Sequence, residues 1–195
     1  LNILSQIFKV DNLTEIIELV HNVCMTCLVQ RPYIRREQPP GKVARGHAFN
    51  DLVSIDHVAQ RPAIHNRRTY NYLLTYTDTF SKLSMALPTE TTNAAEVVEC
   101  LTKIFSILGT PRAIITDRGS AFTSSRYLNY LQGAGVEVFY HEANVPRGHG
   151  IERINLILTQ IVRTVKTAFK TTNWVSHIDT INNLLKGALL TYRMK

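Results

Sequence analysis

The chain has 195 residues, of which 45% are hydrophobic and 19% are charged, and it carries a formal net charge of +7 with a sequence pI near 9.5. This composition excludes an intrinsically disordered chain, and no apolar run has the length of a membrane span. The positive balance favours a polyanionic partner, either nucleic acid or an anionic surface. The three cysteines are an odd number and favour a reducing compartment over a disulfide framework.

The first predicted element is an amphipathic helix at residues 12–24, followed by a change in composition. Cys24 and Cys27 form a C-x₂-C pair at its end, which is half of a tetrahedral zinc site. Residues 31–46 contain two adjacent prolines and five basic residues against one acid, which is typical of an exposed linker. We therefore predict an N-terminal module at residues 1–30, a linker at 31–48 and the main domain at 49–195.

Three runs of apolar and β-branched residues follow the linker, at residues 52–58, 70–77 and 83–87. A polar, basic connection at residues 61–68 separates the first two runs. Because both intervals are hairpin-sized, we expect three antiparallel strands.

Helices and strands alternate in the rest of the chain. The predicted elements are a helix at 93–108, a strand at 113–116, a helix at 123–131, a strand at 136–141, a mobile glycine-containing loop at 143–150, and helices at 151–170 and 174–192. Strands in series followed by alternation predict an α/β fold in which helices flank a five-stranded mixed sheet on both faces.

Three acids stand at unusual places in this arrangement. Asp56 lies within the apolar strand 52-LVSIDHV-58, where a carboxylate is costly unless it is paired, bound to metal or at an open strand end. Asp117 ends the fourth strand, and Glu152 begins a helix after the glycine-containing loop. Two of them have an ordinary explanation too, since Asp117 is acceptable turn and helix-cap chemistry and Glu152 suits a helix N-terminus.

Together the acids indicate a metal site. If the first and fourth strands are neighbours, Asp56 and Asp117 reach the same edge of the sheet, and Glu152 supplies a third hard oxygen ligand for Mg²⁺ or Mn²⁺. Two such ions about 3.5–4 Å apart activate a nucleophile and stabilise the leaving oxygen of a phosphodiester. With a basic surface, this favours nuclease or strand-transfer chemistry.

Four motifs carry a family resemblance, and they occur in the family's order: 55-IDHV-58, 77-TDTFSK-82, 110-TPRAIITDRGSAFTS-124 and 146-PRGHGIERIN-155. The chain resembles, from about Asn12 to Tyr192, the integrase of long-terminal-repeat retrotransposons of the gypsy type, a family related to retroviral integrases. The resemblance implies a ribonuclease-H-like core in which Asp56, Asp117 and Glu152 bind two Mg²⁺ or Mn²⁺ ions. It also implies 3′-end processing and strand transfer with element ends and target DNA, a dimer or higher homo-oligomer, no membrane partner, and a nuclear location with a cytoplasmic phase.

The resemblance implies a zinc module of the His-His-Cys-Cys type at the N-terminus. Cys24 and Cys27 match its cysteines, but both histidines would precede Leu1. We therefore expect only a partial module, with an incomplete zinc half-site and no bound Zn²⁺.

The helix that follows Glu152 has a polar face beside an apolar stripe, which fits either a solvated surface or phosphate contacts. We expect Asp78 to be a turn residue rather than a metal ligand. The candidates for DNA contact are Arg147, His149, Asn155, Arg163 and Lys166.

Two departures from the family motivate other interpretations. The 34 residues between Asp117 and Glu152 are one fewer than is usual, and Leu156 stands where relatives often have a basic residue. One alternative is therefore a domesticated, catalytically silent derivative that acts as a binding or scaffold module. A third, weaker alternative is a plain ribonuclease-H-like nuclease.

Overall fold

The computed structural model describes the backbone of Glu15, of residues 46–141 and of residues 149–193, with the side chains of all of these except 149–152 and 189–193. The predicted N-terminal helix lies outside this part of the chain apart from Glu15, which is helical. Cys24, Cys27 and the linker also lie outside it, so the division into domains stays a prediction. No helix in the described segments is long and apolar enough to cross a membrane.

Five strands form one mixed sheet in the order β3-β2-β1-β4-β5. The first three strands are antiparallel neighbours, whereas β1 pairs with β4, and β4 with β5, in parallel. The predicted fold class is therefore confirmed. The strands are β1 (Leu52–His65), β2 (Arg68–Asp78), β3 (Ser84–Thr89), β4 (Ala113–Thr116) and β5 (Glu137–Tyr140), and the helices are α1 (Ala94–Leu108), α2 (Ser125–Gly133), α3 (His149–Ala168) and α4 (Ile178–Arg193), with a short 3₁₀ turn at Val175–His177 before α4.

Both faces of the sheet are buried, as the strand pattern requires. Leu73 and Leu74 are adjacent in β2, both are fully buried, and they belong to different clusters because successive strand residues point to opposite faces. Residues of α1 and α2 pack on the Leu74 face, and residues of α3 and α4 pack on the Leu73 face with Trp174. The indole N–H of Trp174 donates to the carbonyl of Arg61 at 2.8 Å, so this buried ring keeps its polar group satisfied.

The predicted connection at residues 61–68 is wrong. Strand β1 continues to His65, and the reversal consists of Asn66 and Arg67, both with positive φ. The register between β1 and β2 shifts between Ala59 and Ala63, so that residues 60–62 of β1 stand opposite a single residue of β2. This bulge accommodates a proline at position 62, which has no N–H for the ladder, and it interrupts the alternation by which a strand is recognised in sequence.

Helix α3 begins at His149, two residues before its predicted start. Residues 143–148 of the predicted loop lie outside the described residues. Asp78, which we expected in the turn after β2, is instead the last residue of that strand. Its buried carboxylate accepts hydrogen bonds from the backbone N–H groups of Asn50 at 3.1 Å and Ser81 at 2.6 Å, which fixes the start of β1 to this turn.

Candidate active site

The parallel pairing of β1 and β4 brings two of the three predicted acids to one edge of the sheet. The last registered pair of these strands is Ser54 with Ile115. Asp56 and Asp117 each follow that pair by two residues. Strand β1 continues beyond Asp56 along β2, so the site lies where the β1–β4 ladder ends rather than at the end of β1.

Asp56 is partly exposed and its two carboxylate oxygens accept different hydrogen bonds. Oδ1 accepts the backbone N–H of His57 at 2.8 Å, and Oδ2 accepts the Nδ2 donor of Asn155 at 3.0 Å. Because Asn155 belongs to α3, the second bond ties this helix to β1. The Oδ1 oxygen of Asn155 is buried and has no hydrogen-bond partner among the described residues.

Asp117 is held by the turn that follows β4. Its Oδ1 accepts the backbone N–H of Gly119 at 2.8 Å, which is the turn chemistry expected of an Asp-Arg-Gly sequence. A Cβ at position 119 would lie 2.9 Å from that same oxygen, so the close approach requires glycine. The guanidinium carbon of Arg118 lies 5.0 Å from the centroid of the Tyr140 ring, within the range of a cation–π contact.

Glu152 is in the first turn of α3, and its side chain is not among those described. Residues three apart in a helix are neighbours on one face, so position 152 shares a face with Asn155. Since Asn155 contacts Asp56, the helix is placed with this face toward the acid edge. The backbone therefore brings all three predicted acid positions to the same part of the fold.

His57 is a site residue that sequence reasoning missed, although it lies in the 55-IDHV-58 motif. Its ring stacks on Phe122 with centroids 5.1 Å apart and meets the edge of Tyr72 at 6.4 Å. Burial lowers the pKa of His57, and the negative charge of Asp117 opposes this shift only in part. The imidazole is therefore neutral near pH 7 and places no positive charge beside the two carboxylates.

The predicted DNA-contact residues differ in what the structure says of them. Arg147 lies outside the described residues, and His149 begins α3 with a side chain that is not described. The side-chain amide of Asn155 donates a hydrogen bond to Asp56. On the same helix, Arg163 is exposed and Lys166 is partly exposed. Their contact with DNA stays a prediction.

The residues at this edge fit a divalent cation. Carboxylate oxygens are the preferred ligands of Mg²⁺ and Mn²⁺, and the buried Asn155 Oδ1 would be an additional acceptor if a water accompanied the cation. No group of three His, Cys, Asp or Glu meets in ligand geometry among the side chains that the structure describes, a set that excludes Glu152, Cys24 and Cys27.

Comparison with known proteins gives one family. Residues 46–146 match the family model described as "Integrase core domain". The chain is 29% identical over 166 residues to the Pol polyprotein of Radiation murine leukemia virus (strain Kaplan), covering 84% of this chain and 28% of that protein. It is 30% identical over 188 residues to the Gag-Pol polyprotein of Baboon endogenous virus (strain M7), covering 95% of this chain and 10% of that protein. The chain thus spans a minor part of these relatives.

Solved structures support the fold independently. The chain is similar to one in the simian T-cell lymphotropic virus intasome in complex with PP2A regulatory subunit B56 gamma, with a TM-score of 0.62, 21% identity, and coverage of 88% of this chain and 58% of that one. It is also similar to the HTLV-2 integrase catalytic core domain in complex with magnesium (trimeric form), with a TM-score of 0.56, 20% identity, and coverage of 72% and 85%. At these identities the likeness shows a ribonuclease-H-like fold.

The buried His57 predicts a specific pH dependence of stability. Because its pKa is lower in the folded chain, the unfolded chain binds more protons once the pH falls below about 6.5. We expect the free energy of unfolding to decrease from that pH down to the lower folded-state pKa and to level off below it. A His57→Phe variant, which keeps an aromatic ring for the Phe122 contact, should lose this part of the decrease.

Urea unfolding at several pH values between about 7.5 and 5 measures the effect. The control is His177→Phe, which removes a histidine that stacks on Phe169 at 4.3 Å, far from the acids in sequence. A His57→Phe variant whose stability declines with acid as steeply as that of the control would contradict the assignment.

Proposed function

The chain belongs to the integrase core domain family, and from that premise we propose that it removes terminal nucleotides from the DNA ends of a retroelement and joins the new 3′-hydroxyl ends to target DNA. The observation that carries this proposal is the meeting of Asp56, on β1, with Asn155, on the helix that contains Glu152. The parallel register adds Asp117 to the same edge. These placements support a site in which Asp56, Asp117 and Glu152 act together in phosphodiester chemistry.

Asp56, Asp117 and Glu152 are the residues that would hold Mg²⁺ or Mn²⁺. When bound, the ions supply activation of water or of the 3′-hydroxyl and stabilise the leaving oxygen. The chain's own groups prepare the ligands. The side-chain amide of Asn155 and the backbone N–H of His57 donate to the two oxygens of Asp56. The backbone N–H of Gly119 donates to one oxygen of Asp117. Ligands held by such outer contacts need little reorganisation when a cation arrives.

Nucleic acid is the proposed substrate because the chain is basic and because one solved relative is part of an intasome. One solved relative is an intasome, and another is a magnesium complex of a trimeric catalytic core. A net charge of +7 attracts the phosphate backbone irrespective of sequence. We further propose an origin in a gypsy-type element, a homo-oligomeric active form and a nuclear location with a cytoplasmic phase.

A second candidate function is a silent integrase derivative that serves as a binding or scaffold module. The observation that favours it is Leu156, which is 55% exposed on α3 at a position where the family resemblance leads us to expect a basic residue. An exposed leucine neither binds phosphate groups nor contributes to the hydrophobic core. The two candidates differ in whether the acids are needed, which the following experiment decides.

Replacing any one acid by its amide, as in Asp56→Asn, Asp117→Asn or Glu152→Gln, should lower strand transfer by about 100-fold or more because a metal ligand is removed. The assay measures how much of a labelled DNA end becomes joined to a plasmid in the presence of Mg²⁺ or Mn²⁺. The control is Asp179→Asn, an exposed acid in the first turn of α4, which should leave joining unchanged. A folded wild-type chain without joining activity would favour the scaffold function, and joining that survives the three changes would contradict our assignment.

Replacing Asn155 by alanine should weaken Mn²⁺ binding by about 10- to 100-fold, because Asp56 loses the donor that orients its Oδ2. Isothermal titration calorimetry with Mn²⁺ provides the dissociation constant without depending on activity. The matched control is Gln160→Ala, an amide on the same helix about 140° around its axis from Asn155. Equal Mn²⁺ affinity in the Asn155→Ala variant and the control would mean that Asn155 does not position a metal ligand.

A further inference from the structure

The two edges of the sheet differ in whether they can pair with another strand. At β3, the side-chain amide of Asn182 on α4 donates to the carbonyl of Ala86 at 3.0 Å and accepts the N–H of the same residue at 2.8 Å. A cover of this kind keeps an edge strand from pairing with another chain. Nothing comparable occurs at β5 among the residues that the structure describes. In this part of the chain, the β5 edge is therefore open to a further strand.

The backbone groups on the open edge belong to Val138 and Tyr140. The N–H groups of Glu137 and His141 donate toward β4, at 3.0 and 2.9 Å. Because N–H groups alternate in direction along a strand, Val138 and Tyr140 direct their N–H and C=O groups away from β4. No residue in the described segments forms a hydrogen bond with these four groups. The edge thus presents two donors and two acceptors in a row.

The side chains of β5 are complementary to a second copy of the same strand. Val138 and Tyr140 pack against the cluster under α1 and α2, so Glu137, Phe139 and His141 point to the other face. Phe139 is 46% exposed there. In an antiparallel pair centred on Phe139, the two Phe139 rings lie opposite each other, and Glu137 of one copy lies opposite His141 of the other. Aromatic pairs and polar pairs of this kind across a ladder are favourable.

Backbone hydrogen bonding favours this register over a shifted one. Val138 of each copy lies opposite Tyr140 of the other, and each such pair exchanges two N–H···O=C bonds. A register centred on Val138 would need the N–H of Val136, which already donates to the carbonyl of Leu131 at 2.9 Å. The register centred on Phe139 therefore uses every outward group of β5 in both copies.

We propose that β5 of one chain pairs antiparallel with β5 of a second copy, which joins two five-stranded sheets into one sheet of ten strands. The inference names a surface for the homo-oligomeric form proposed above and does not depend on the metal chemistry. The antiparallel pairing directs the acid edges of the two copies toward opposite ends of the joined sheet. A strand pair is smaller than a standard protein interface, so we expect a dissociation constant on the order of 100 µM.

The first test measures self-association by sedimentation velocity at chain concentrations from about 10 µM to about 1 mM. The edge variant is Phe139→Lys, which places two like charges opposite each other at the centre of the strand pair. We expect its dissociation constant to rise by at least about tenfold. The control is Phe80→Lys, which adds the same charge at a phenylalanine that is 47% exposed in the turn between β2 and β3, and which should associate like the wild type. Thermal unfolding checks that both variants fold.

Disulfide trapping then tests which residues meet. In a chain with Cys24 and Cys27 replaced by serine, the buried Cys100 can stay, because burial raises the pKa of its thiol to about 11 and leaves it unreactive. Phe139→Cys in this background should form an intermolecular disulfide, since opposed residues of a pair without hydrogen bonds have Cα atoms about 4.5 Å apart. Ile64→Cys, 70% exposed on the β1–β2 hairpin, measures random collision.

The register is tested by two further cysteine variants in the same background. Glu137→Cys alone should not cross-link with itself, because its two copies are four residues apart along the ladder, or about 13 Å. An equimolar mixture of Glu137→Cys and His141→Cys chains should cross-link, because these positions lie opposite each other.

Three results would overturn the proposal. A wild-type chain that stays monomeric up to about 1 mM would leave the edge to an extended peptide of another protein. Self-association of Phe139→Lys as strong as that of Phe80→Lys would place the dimer contact elsewhere, and cross-linking of Phe139→Cys no faster than that of Ile64→Cys would exclude the strand pair. None of these results bears on DNA joining by the acid variants, so the catalytic assignment is tested separately.

Discussion

The contact on which the site depends is the hydrogen bond from Asn155 Nδ2 to Asp56 Oδ2, between residues 99 positions apart in sequence. Asp56 is placed by the sheet, whereas position 152 is placed by α3, and this bond fixes one relative to the other. Hydrogen bonds to a charged group contribute about 1.5–3 kcal/mol when they form inside a protein. The apolar stripe of α3 holds the helix on the sheet, but the amide sets which part of its polar face meets the acid edge.

Gathering carboxylates at one edge has an electrostatic cost that the fold reduces with oriented donors. Backbone N–H groups of His57 and Gly119 donate to carboxylate oxygens of Asp56 and Asp117 and orient them. His57 remains neutral because it is buried between Phe122 and Tyr72. A divalent cation would relieve the repulsion that remains between the acids. Their arrangement therefore lowers the stability of the metal-free chain and favours binding of the cation.

The sequence predicted the bounds of a strand correctly where a single hydrophobic pattern marks that strand. Strand β4 has the predicted bounds of residues 113–116, because a short apolar run lies between turn signals. The prediction from sequence was wrong for the second half of β1, because a bulge and a proline make residues 61–65 resemble a polar connection. The convergence of Asp56 and Asp117 could be foreseen from strand order. The contact of Asn155 with Asp56 could not, because it depends on how α3 lies across the sheet. The role of His57 could not be foreseen from its motif either, since its neutral state follows from burial by aromatic rings distant in sequence.

The most direct test of the account is the anomalous scattering of Mn²⁺ in crystals of the chain soaked with the metal at neutral pH. The account predicts anomalous peaks within coordination distance, about 2.0–2.3 Å, of carboxylate oxygens from Asp56, Asp117 and Glu152 together. Density that shows Glu152 directed to solvent while Mn²⁺ is absent from the other two acids, in an otherwise intact fold, would contradict it.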